Sequence, residues 1–137
     1  MKNKVERHLK SHKKHGKPVL FLLIDSENFK TSKDVEKMAK GIMKACKKMT
    51  AAPAILVGGS SATDQIEMNN VVKIIKKITR LDTILFPGNI TGVVPKADAI
   101  LFSSLMNSEN PYYITQAQAL GAPLVRKFNL EALPTAY

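Results

Sequence analysis

Residues that could support chemistry follow short apolar segments of the sequence. Asp25 comes directly after the apolar run Val19–Ile24, and Gly58, Gly59 and Ser60 follow a second such run. A carboxylate at the end of a buried strand costs free energy unless it is hydrogen-bonded, paired with a charge or bound to a cation. Mg²⁺ prefers oxygen ligands and keeps positions for water and substrate phosphate. Asp25 therefore has two interpretations, a metal ligand or a cap of the following turn.

The glycine–serine segment after the second run is compatible with the same chemistry. Glycines let the backbone approach an anion closely, and a serine hydroxyl can bind phosphate or metal. A third apolar run ends in Pro87, Gly88 and Asn89. Turns are rich in all of these residue types, so each segment is also compatible with a purely structural turn.

The apolar pattern predicts the elements that would position these residues. Four β-rich segments, 18–24, 54–57, 83–86 and 97–102, alternate with segments of helical periodicity. A last helix is predicted over residues 112–120 with Gly121 as its stop signal, and Tyr137 is predicted to begin another strand. Strands that alternate with helices at intervals of roughly 30 residues are typical of βαβ units in a parallel sheet. In such a sheet, ligands bind where the strands end.

The composition excludes several classes of protein. The chain has 137 residues, enough for one hydrophobic core, and its 45% hydrophobic and 23% charged residues are too apolar for a disordered chain. The run Val19–Ile24 is too short to span a membrane. The single cysteine, Cys46, excludes an internal disulfide framework and a multi-cysteine metal site. We expect one cytoplasmic domain over residues 1–137.

The net charge of +10 is concentrated at the N terminus. Residues 1–17 contain seven Lys or Arg and one Glu, a net charge of +6, and are predicted to form a basic helix. This helix is either simply solvated or attracts phosphates, nucleic acid or an anionic membrane. No aromatic residue interrupts it, which argues against a base-stacking surface. His8 and His12 are four residues apart, but they have no apparent acidic or cysteine partner, so no metal site is predicted there.

Five segments carry a recognisable pattern in a fixed order: 58–60, 84–89, 97–102, 105–113 and 117–125. They resemble the geranylgeranylglyceryl phosphate synthase family, and the resemblance extends from about Val19 to Tyr137. It implies a TIM (β/α)8 barrel, of which this chain would hold about four βα units, a half-barrel. It also implies Mg²⁺-dependent transfer of a geranylgeranyl group from geranylgeranyl diphosphate to the 3-hydroxyl of sn-glycerol 1-phosphate.

The resemblance implies roles for individual residues. Asp25 and Ser60 match the family's Mg²⁺ ligands. Leu22 stands where the family commonly has threonine, and Ser26 stands where it commonly has proline. The family's glycerol-phosphate loops, which follow the later strands of the barrel, are not in this sequence. The residues expected to contact substrate lie near the edge of the sheet where the strands end: Gly58, Gly59, Pro87, Gly88, Asn89 and Tyr112.

Other classes of function stay open beside the enzyme. One is a non-catalytic half-barrel or interaction module, and the other is a basic nucleic-acid-binding domain. We favour the enzyme and expect a homo-oligomer that binds no nucleic acid and contacts membranes peripherally through its basic helix. The first and fourth strands should leave open edges in a half-barrel. Four residues are expected on its inner face: Leu20, Leu22, Ile55 and Leu85.

Overall fold

The structure, a computed structural model, describes residues 3–59 and 64–137, which fold around one parallel sheet. The strands are β1 (Val19–Asp25), β2 (Ala52–Gly59), β3 (Thr83–Pro87), β4 (Ala99–Ser104) and β5 (Glu131–Ala136). The helices are α1 (Lys4–Lys14), α2 (Ser32–Cys46), α3 (Gln65–Thr79) and α4 (Ala117–Lys127). The strands are hydrogen-bonded in the order β1-β2-β3-β4-β5, and every neighbouring pair is parallel. Sequential parallel strands joined through helices are the building units of a (β/α)8 barrel.

The outer face of the sheet packs against α2, α3 and α4. Ile55 and Leu85 are fully buried in this core together with Val72 and Ile75 of α3. The apolar positions of α2 and α3 recur at helical spacing, and each helix begins with a side-chain cap, Thr31 for α2 and an aspartate for α3. Burial of this apolar face, rather than helix propensity, holds the helices on the sheet.

The inner face carries a second, smaller apolar cluster. Ala54, Ile84, Ala99 and Leu133 pack there against Val5 of α1, which is 1% exposed. The basic helix predicted within residues 1–17 is α1, and it contacts β1 and β5. It therefore covers the part of the inner face near the beginnings of the strands. None of the described helices has the length and apolar character needed to cross a membrane.

The prediction of the inner-face residues was wrong. Ile55 and Leu85 belong to the core under the helices, and the register pairs Leu22 with Ile55, which puts Leu22 on that outer side. Leu20, two residues earlier in β1, faces the same way because side chains alternate along a strand. The sequence could not distinguish the two faces because β1 is apolar at every position before Asp25.

The end of the chain contains a strand that sequence analysis did not assign. β5 spans Glu131–Ala136 and ends before Tyr137, where the sequence had predicted that a strand would begin. Glu131 and Pro134 interrupt its apolar pattern. Proline is tolerated in an edge strand, and β5 is the edge of the described sheet. The described sheet therefore has its open edges at β1 and β5, not at β1 and β4 as predicted.

Two other boundaries differ from those predicted. β4 begins at Ala99, not at residue 97, because Asp98 is used in a polar contact: its Oδ1 lies 2.7 Å from Lys76 Nζ, and its Oδ2 accepts a hydrogen bond from the Thr83 N–H at 3.1 Å. Gly121 does not stop the last helix. It lies within α4 and lacks the positive φ of a helix-ending glycine, and the helix continues so that Val125 can pack on the sheet.

Candidate functional site

Asp25 is the last residue of β1 and lies on the inner face where the strands end. Its Oδ1 accepts a hydrogen bond from the backbone N–H of Glu27 at 3.0 Å, which caps the 3₁₀ turn Ser26–Asn28. This is the one hydrogen bond to the Asp25 carboxylate within the described residues. The capping interpretation is therefore correct, and Oδ2 accepts no hydrogen bond from the residues that the structure describes.

Asp25 lines a cleft of about 250 Å³ at the carboxyl end of the sheet. Parallel strands end at the same edge, so residues far apart in sequence meet there. The cleft is lined by residues of β1, β2 and β3, the turn after β3 and the end of the chain: Leu23, Asp25, Gly58, Gly59, Phe86, Pro87, Gly88 and Tyr137. Five of the residues predicted to bind metal or substrate are thus in one place.

The close pairing of β2 with β3 requires glycine at position 58. A Cβ at this position would lie 2.3 Å from the carbonyl oxygen of Phe86, closer than a non-bonded carbon can approach. β2 therefore needs glycine to pair with β3 here, whatever it contributes to a ligand. Ser60, the second predicted Mg²⁺ ligand, lies outside the described residues, and its role stays a prediction.

A second cleft, of about 320 Å³, lies beside the first, between β3, β4 and α4. The connection from β3 to β4 contains a 3₁₀ turn, Ile90–Gly92, in place of an α-helix, and this shorter connection leaves room beside α4. Most of the wall is apolar and aromatic: Pro87, Ile90, Val93, Leu101, Phe102, Leu105, Tyr113 and Tyr137. The two clefts share Pro87, Gly88 and Tyr137, so they meet at the end of β3.

Of the two remaining residues predicted to contact substrate, one lines a cleft and the other does not. Asn89 lines the second cleft, and its Oδ1 accepts a hydrogen bond from the Thr91 N–H at 2.9 Å. Tyr112 lines neither cleft. Its ring packs edge-on against Tyr113, with 5.2 Å between centroids, and Tyr113 forms part of the wall of the second cleft. Tyr113 is therefore the tyrosine of this pair that the structure brings to the site.

Sequence analysis missed the contribution of Tyr137. Its ring packs edge-on against Phe86 at 5.7 Å, and it borders both clefts. Its backbone N–H donates to the Ser104 carbonyl at 3.1 Å, and its carbonyl accepts from the Met106 N–H at 2.8 Å. Recognition of β5 would have found it, because the residue after a strand of a parallel sheet lies at the same edge as Asp25.

Gln118 of α4 is a further polar residue of the second cleft that sequence analysis did not identify. Its Nε2 donates to Ser104 Oγ at 2.6 Å, and that hydroxyl donates to the Ile114 carbonyl at 2.8 Å. Ile114 lies in one turn of π-helix, Tyr112–Gln116, a feature found frequently at functional sites. This chain of hydrogen bonds ties α4 and the tyrosine pair to β4.

The donor set fits Mg²⁺ better than a metal that needs a protein cage. Within residues 3–59 and 64–137, no three His, Cys, Asp or Glu side chains gather as a metal site. Asp25 supplies one carboxylate beside an open cleft. Mg²⁺ is commonly bound in this way, by one or two carboxylates, with water and substrate phosphates as the other ligands.

A parallel half-barrel with clefts at the carboxyl ends of its strands places the chain in the class of (β/α)8-barrel proteins. Residues 13–137 match the PcrB family, and the chain belongs to that family. It is 64% identical to the geranylgeranylglyceryl phosphate synthase of Nitrosopumilus maritimus and 62% identical to that of Cenarchaeum symbiosum. These alignments cover 98% and 97% of this chain but 52% and 51% of the relatives.

The fold agrees with a solved structure of the same kind. (S)-3-O-geranylgeranylglyceryl phosphate synthase from Thermoplasma acidophilum, solved in complex with its substrate sn-glycerol-1-phosphate, superposes with a TM-score of 0.82 at 32% identity. The match covers 100% of this chain and 52% of that one. The predicted family and fold class are confirmed, and the chain spans about half the length of the relatives it matches.

Proposed function

We propose that this chain is the N-terminal half of a geranylgeranylglyceryl phosphate synthase. The enzyme would transfer a geranylgeranyl group from geranylgeranyl diphosphate to the 3-hydroxyl of sn-glycerol 1-phosphate, the first ether bond of archaeal membrane lipids. The observation that carries this proposal is the position of Asp25 beside two clefts that meet at Pro87, Gly88 and Tyr137. Such a site offers one end to a diphosphate and the other to a hydrocarbon chain.

The polar end of the site is suited to the diphosphate. Asp25, with Ser60 as the second proposed ligand, would hold Mg²⁺, which neutralises charge on the leaving diphosphate when bound. The hydrogen bond from the Glu27 N–H fixes the Asp25 carboxylate before substrate arrives. Gly58 and Gly59 carry no side chain into the cleft and so leave room for phosphate oxygens.

The apolar end of the site is suited to the prenyl chain. Phe102, Leu105 and Tyr113 line the second cleft, and the aromatic pair of Phe86 and Tyr137 lies where the clefts meet. Breaking the allylic C–O bond would release diphosphate and leave a carbocation. The acceptor hydroxyl would capture this cation as the new C–O bond forms, and its proton would pass to the released diphosphate or to water. Side chains that exclude water protect the cation from hydrolysis until that capture.

The acceptor is proposed to bind outside this chain. Phosphate sites of barrel enzymes are frequently formed by the loops after strands 7 and 8. This chain covers 52% and 51% of the relatives, and we expect the corresponding segments in the part that it does not cover. We therefore assign the diphosphate and prenyl sites to the chain and the glycerol-phosphate site to the rest of the barrel.

The test is substitution of Asp25→Asn in a protein extended to the length of the relatives. Metal-assisted charge stabilisation is worth several kcal/mol, so we expect Mg²⁺-dependent turnover to fall by about 100-fold. Circular dichroism should be unchanged. The matched control is Asp34→Asn, which alters another turn-capping aspartate, at the start of α2, and should keep its turnover. Turnover of Asp25→Asn within twofold of wild type would remove Asp25 from the mechanism.

A further inference from the structure

A second group of polar side chains lies under α1, at the end of the sheet opposite Asp25. Nδ1 of His8 contacts Oδ2 of Asp82, which precedes β3. On its other side, Nε2 of His8 lies 2.9 Å from Nε2 of His12, one helical turn further along α1. Sequence analysis found no acidic partner for these histidines. In the folded chain, Asp82 is such a partner, although it is 74 residues from His8 in the sequence.

The contact with Asp82 determines which ring nitrogen of His8 has a lone pair available to a metal ion. A carboxylate only accepts hydrogen bonds, so the assignment that satisfies the contact puts the proton on Nδ1. In the neutral ring with this tautomer, Nε2 of His8 presents a lone pair to which Nε2 of His12 can donate its N–H. Two ring nitrogens thus converge on one shared proton, in a position that a cation could occupy.

The elements that carry these side chains are firmly held. The side chain of Asp82 is 11% exposed, and its backbone carbonyl accepts a hydrogen bond from the Ile55 N–H of β2 at 2.9 Å. The other end of α1 is fixed to β5 through Glu131, which accepts hydrogen bonds from the backbone of Val5 and Glu6. Ligands on rigid elements bind a metal with less loss of conformational freedom than ligands on loops.

We propose that His8 and His12 bind a divalent transition-metal ion of the zinc type, with Asp82 as the carboxylate that positions His8. Metal-bound histidines almost always donate their other N–H to a carboxylate, carbonyl or water, the relationship that His8 has with Asp82. With metal–nitrogen bonds of about 2.0–2.1 Å, two ligands of a tetrahedral ion lie about 3.3 Å apart, so the rings need separate by only about 0.4 Å. Rotation of the two side chains would have to supply this separation and turn both ring nitrogens toward the ion.

The site would be open and independent of the proposed catalytic site. The His8 side chain is 51% exposed, so water or a small anion can complete the coordination. It offers two protein ligands, which is compatible with there being no three-ligand cluster among the described residues. Imidazole suits zinc, copper and nickel, whereas Mg²⁺ prefers oxygen, so the two sites should not compete for one ion.

The experiment is calorimetric titration of Zn²⁺ into untagged, chelator-treated protein extended to the length of the relatives, at pH 7.5. We expect one Zn²⁺ to bind and the affinity to fall at least tenfold in His12→Gln and in His8→Gln. The matched control is His15→Gln. It removes the third histidine of the same segment, whose Nδ1 bonds to the Ser11 carbonyl, and should keep the affinity. Asp25→Asn should also keep it.

The Zn²⁺ affinity of the Asp82→Asn variant tests whether Asp82 positions His8. Loss of such a carboxylate typically lowers metal affinity 10–100-fold, so Asp82→Asn should lie in this range while both histidines remain. Unchanged affinity in Asp82→Asn would overturn the positioning role. Equal Zn²⁺ affinity in the wild type and the His8→Gln/His12→Gln double variant would overturn the site itself. An equal loss in His15→Gln would do the same, since it would show adventitious binding to surface histidines.

Discussion

The carboxylate of Glu131 accepts a hydrogen bond from the backbone N–H of Val5 at 2.8 Å, although 126 residues separate the two in sequence. Its other oxygen accepts from the Glu6 N–H, also at 2.8 Å. The first turn of a helix has unpaired N–H groups and a partial positive charge, and a carboxylate stabilises both. Asn3, which precedes α1, contributes no side-chain cap. Glu131 of the sheet therefore takes the place of a local cap and attaches α1 to β5.

Glu131→Ala should detach the first turn of α1 from the sheet. Removing two hydrogen bonds to a charged, partly buried acceptor should lower the free energy of unfolding by about 1.5–3 kcal/mol. Urea denaturation measures this loss, and hydrogen exchange of the amides of Val5 and Glu6 should accelerate. The matched control is Glu109→Ala, at an exposed glutamate, where the change should stay within about 0.5 kcal/mol. Equal effects of the two substitutions would contradict the capping role.

Gly58→Ala should destabilise the pairing of β2 with β3. The added methyl group would meet the Phe86 carbonyl oxygen at 2.3 Å, and relief requires a backbone shift in a buried part of the sheet. We expect a loss of about 1–3 kcal/mol in the free energy of unfolding.

The comparison for this prediction is Gly41→Ala in α2. A Cβ there meets nothing within 4 Å, and alanine favours a helix over glycine by roughly 0.5–1 kcal/mol, so this variant should be more stable than wild type. Thermal unfolding of the two variants should therefore shift in opposite directions. A Gly58→Ala protein as stable as wild type would show that β2 and β3 are not so closely paired at Phe86.

The sequence was sufficient to predict five residues of the first cleft, but not Leu23 or Tyr137. Asp25, Gly58, Gly59, Pro87 and Gly88 each end or follow an apolar run, and a parallel sheet brings such ends to one edge. The alternation of strands and helices was enough to predict a parallel sheet, and therefore that these residues lie together. No contact between distant side chains had to be known.

Features that depend on distant contacts could not be predicted in this way. The pairing of His8 with Asp82 and the capping of α1 by Glu131 join residues that are 74 and 126 positions apart in the sequence. Sequence analysis did not assign β5 because Glu131 and Pro134 interrupt its apolar pattern. Glu131 is polar because its carboxylate accepts hydrogen bonds from α1. The same contact thus explains both the missed strand and the missed cap.

The lysines of the basic N-terminal segment are predicted to hold the protein near anionic membranes, where the proposed prenyl substrate would reside. Val5 and Leu9 of α1 pack on the sheet, and the four lysines tested below are exposed. Each basic residue near such a surface is worth about 1 kcal/mol, so replacing four of them should sharply reduce co-sedimentation with anionic vesicles. The four substitutions change to glutamine Lys10, Lys13, Lys14 and Lys17.

The control for the membrane prediction removes four lysines elsewhere. Changing Lys33, Lys37, Lys40 and Lys44 to glutamine takes the same charge from the exposed side of α2. Binding by this variant should exceed that of the α1 variant at equal net charge. If the two variants bind equally, total charge and not α1 determines attraction to the vesicle. If neutral and anionic vesicles bind wild type equally, the N-terminal segment is only solvated.

Residues 1–137, produced without the other half of the barrel, are predicted to self-associate and not to catalyse prenyl transfer. β1 and β5 each have one neighbour in the described sheet, so each keeps a row of backbone groups open to another strand. On the inner face, Phe21 is 45% exposed and Leu23 is 62% exposed, apolar surface that favours association. The two clefts proposed for the diphosphate and the prenyl chain are present, but the proposed acceptor site is not, and loss of that positioning should remove several kcal/mol of transition-state stabilisation. The test measures the mass of the purified chain in solution and assays ether formation from the two substrates. A monomer with the activity of the full-length enzymes would show that both the open-edge argument and the placement of the acceptor site are wrong.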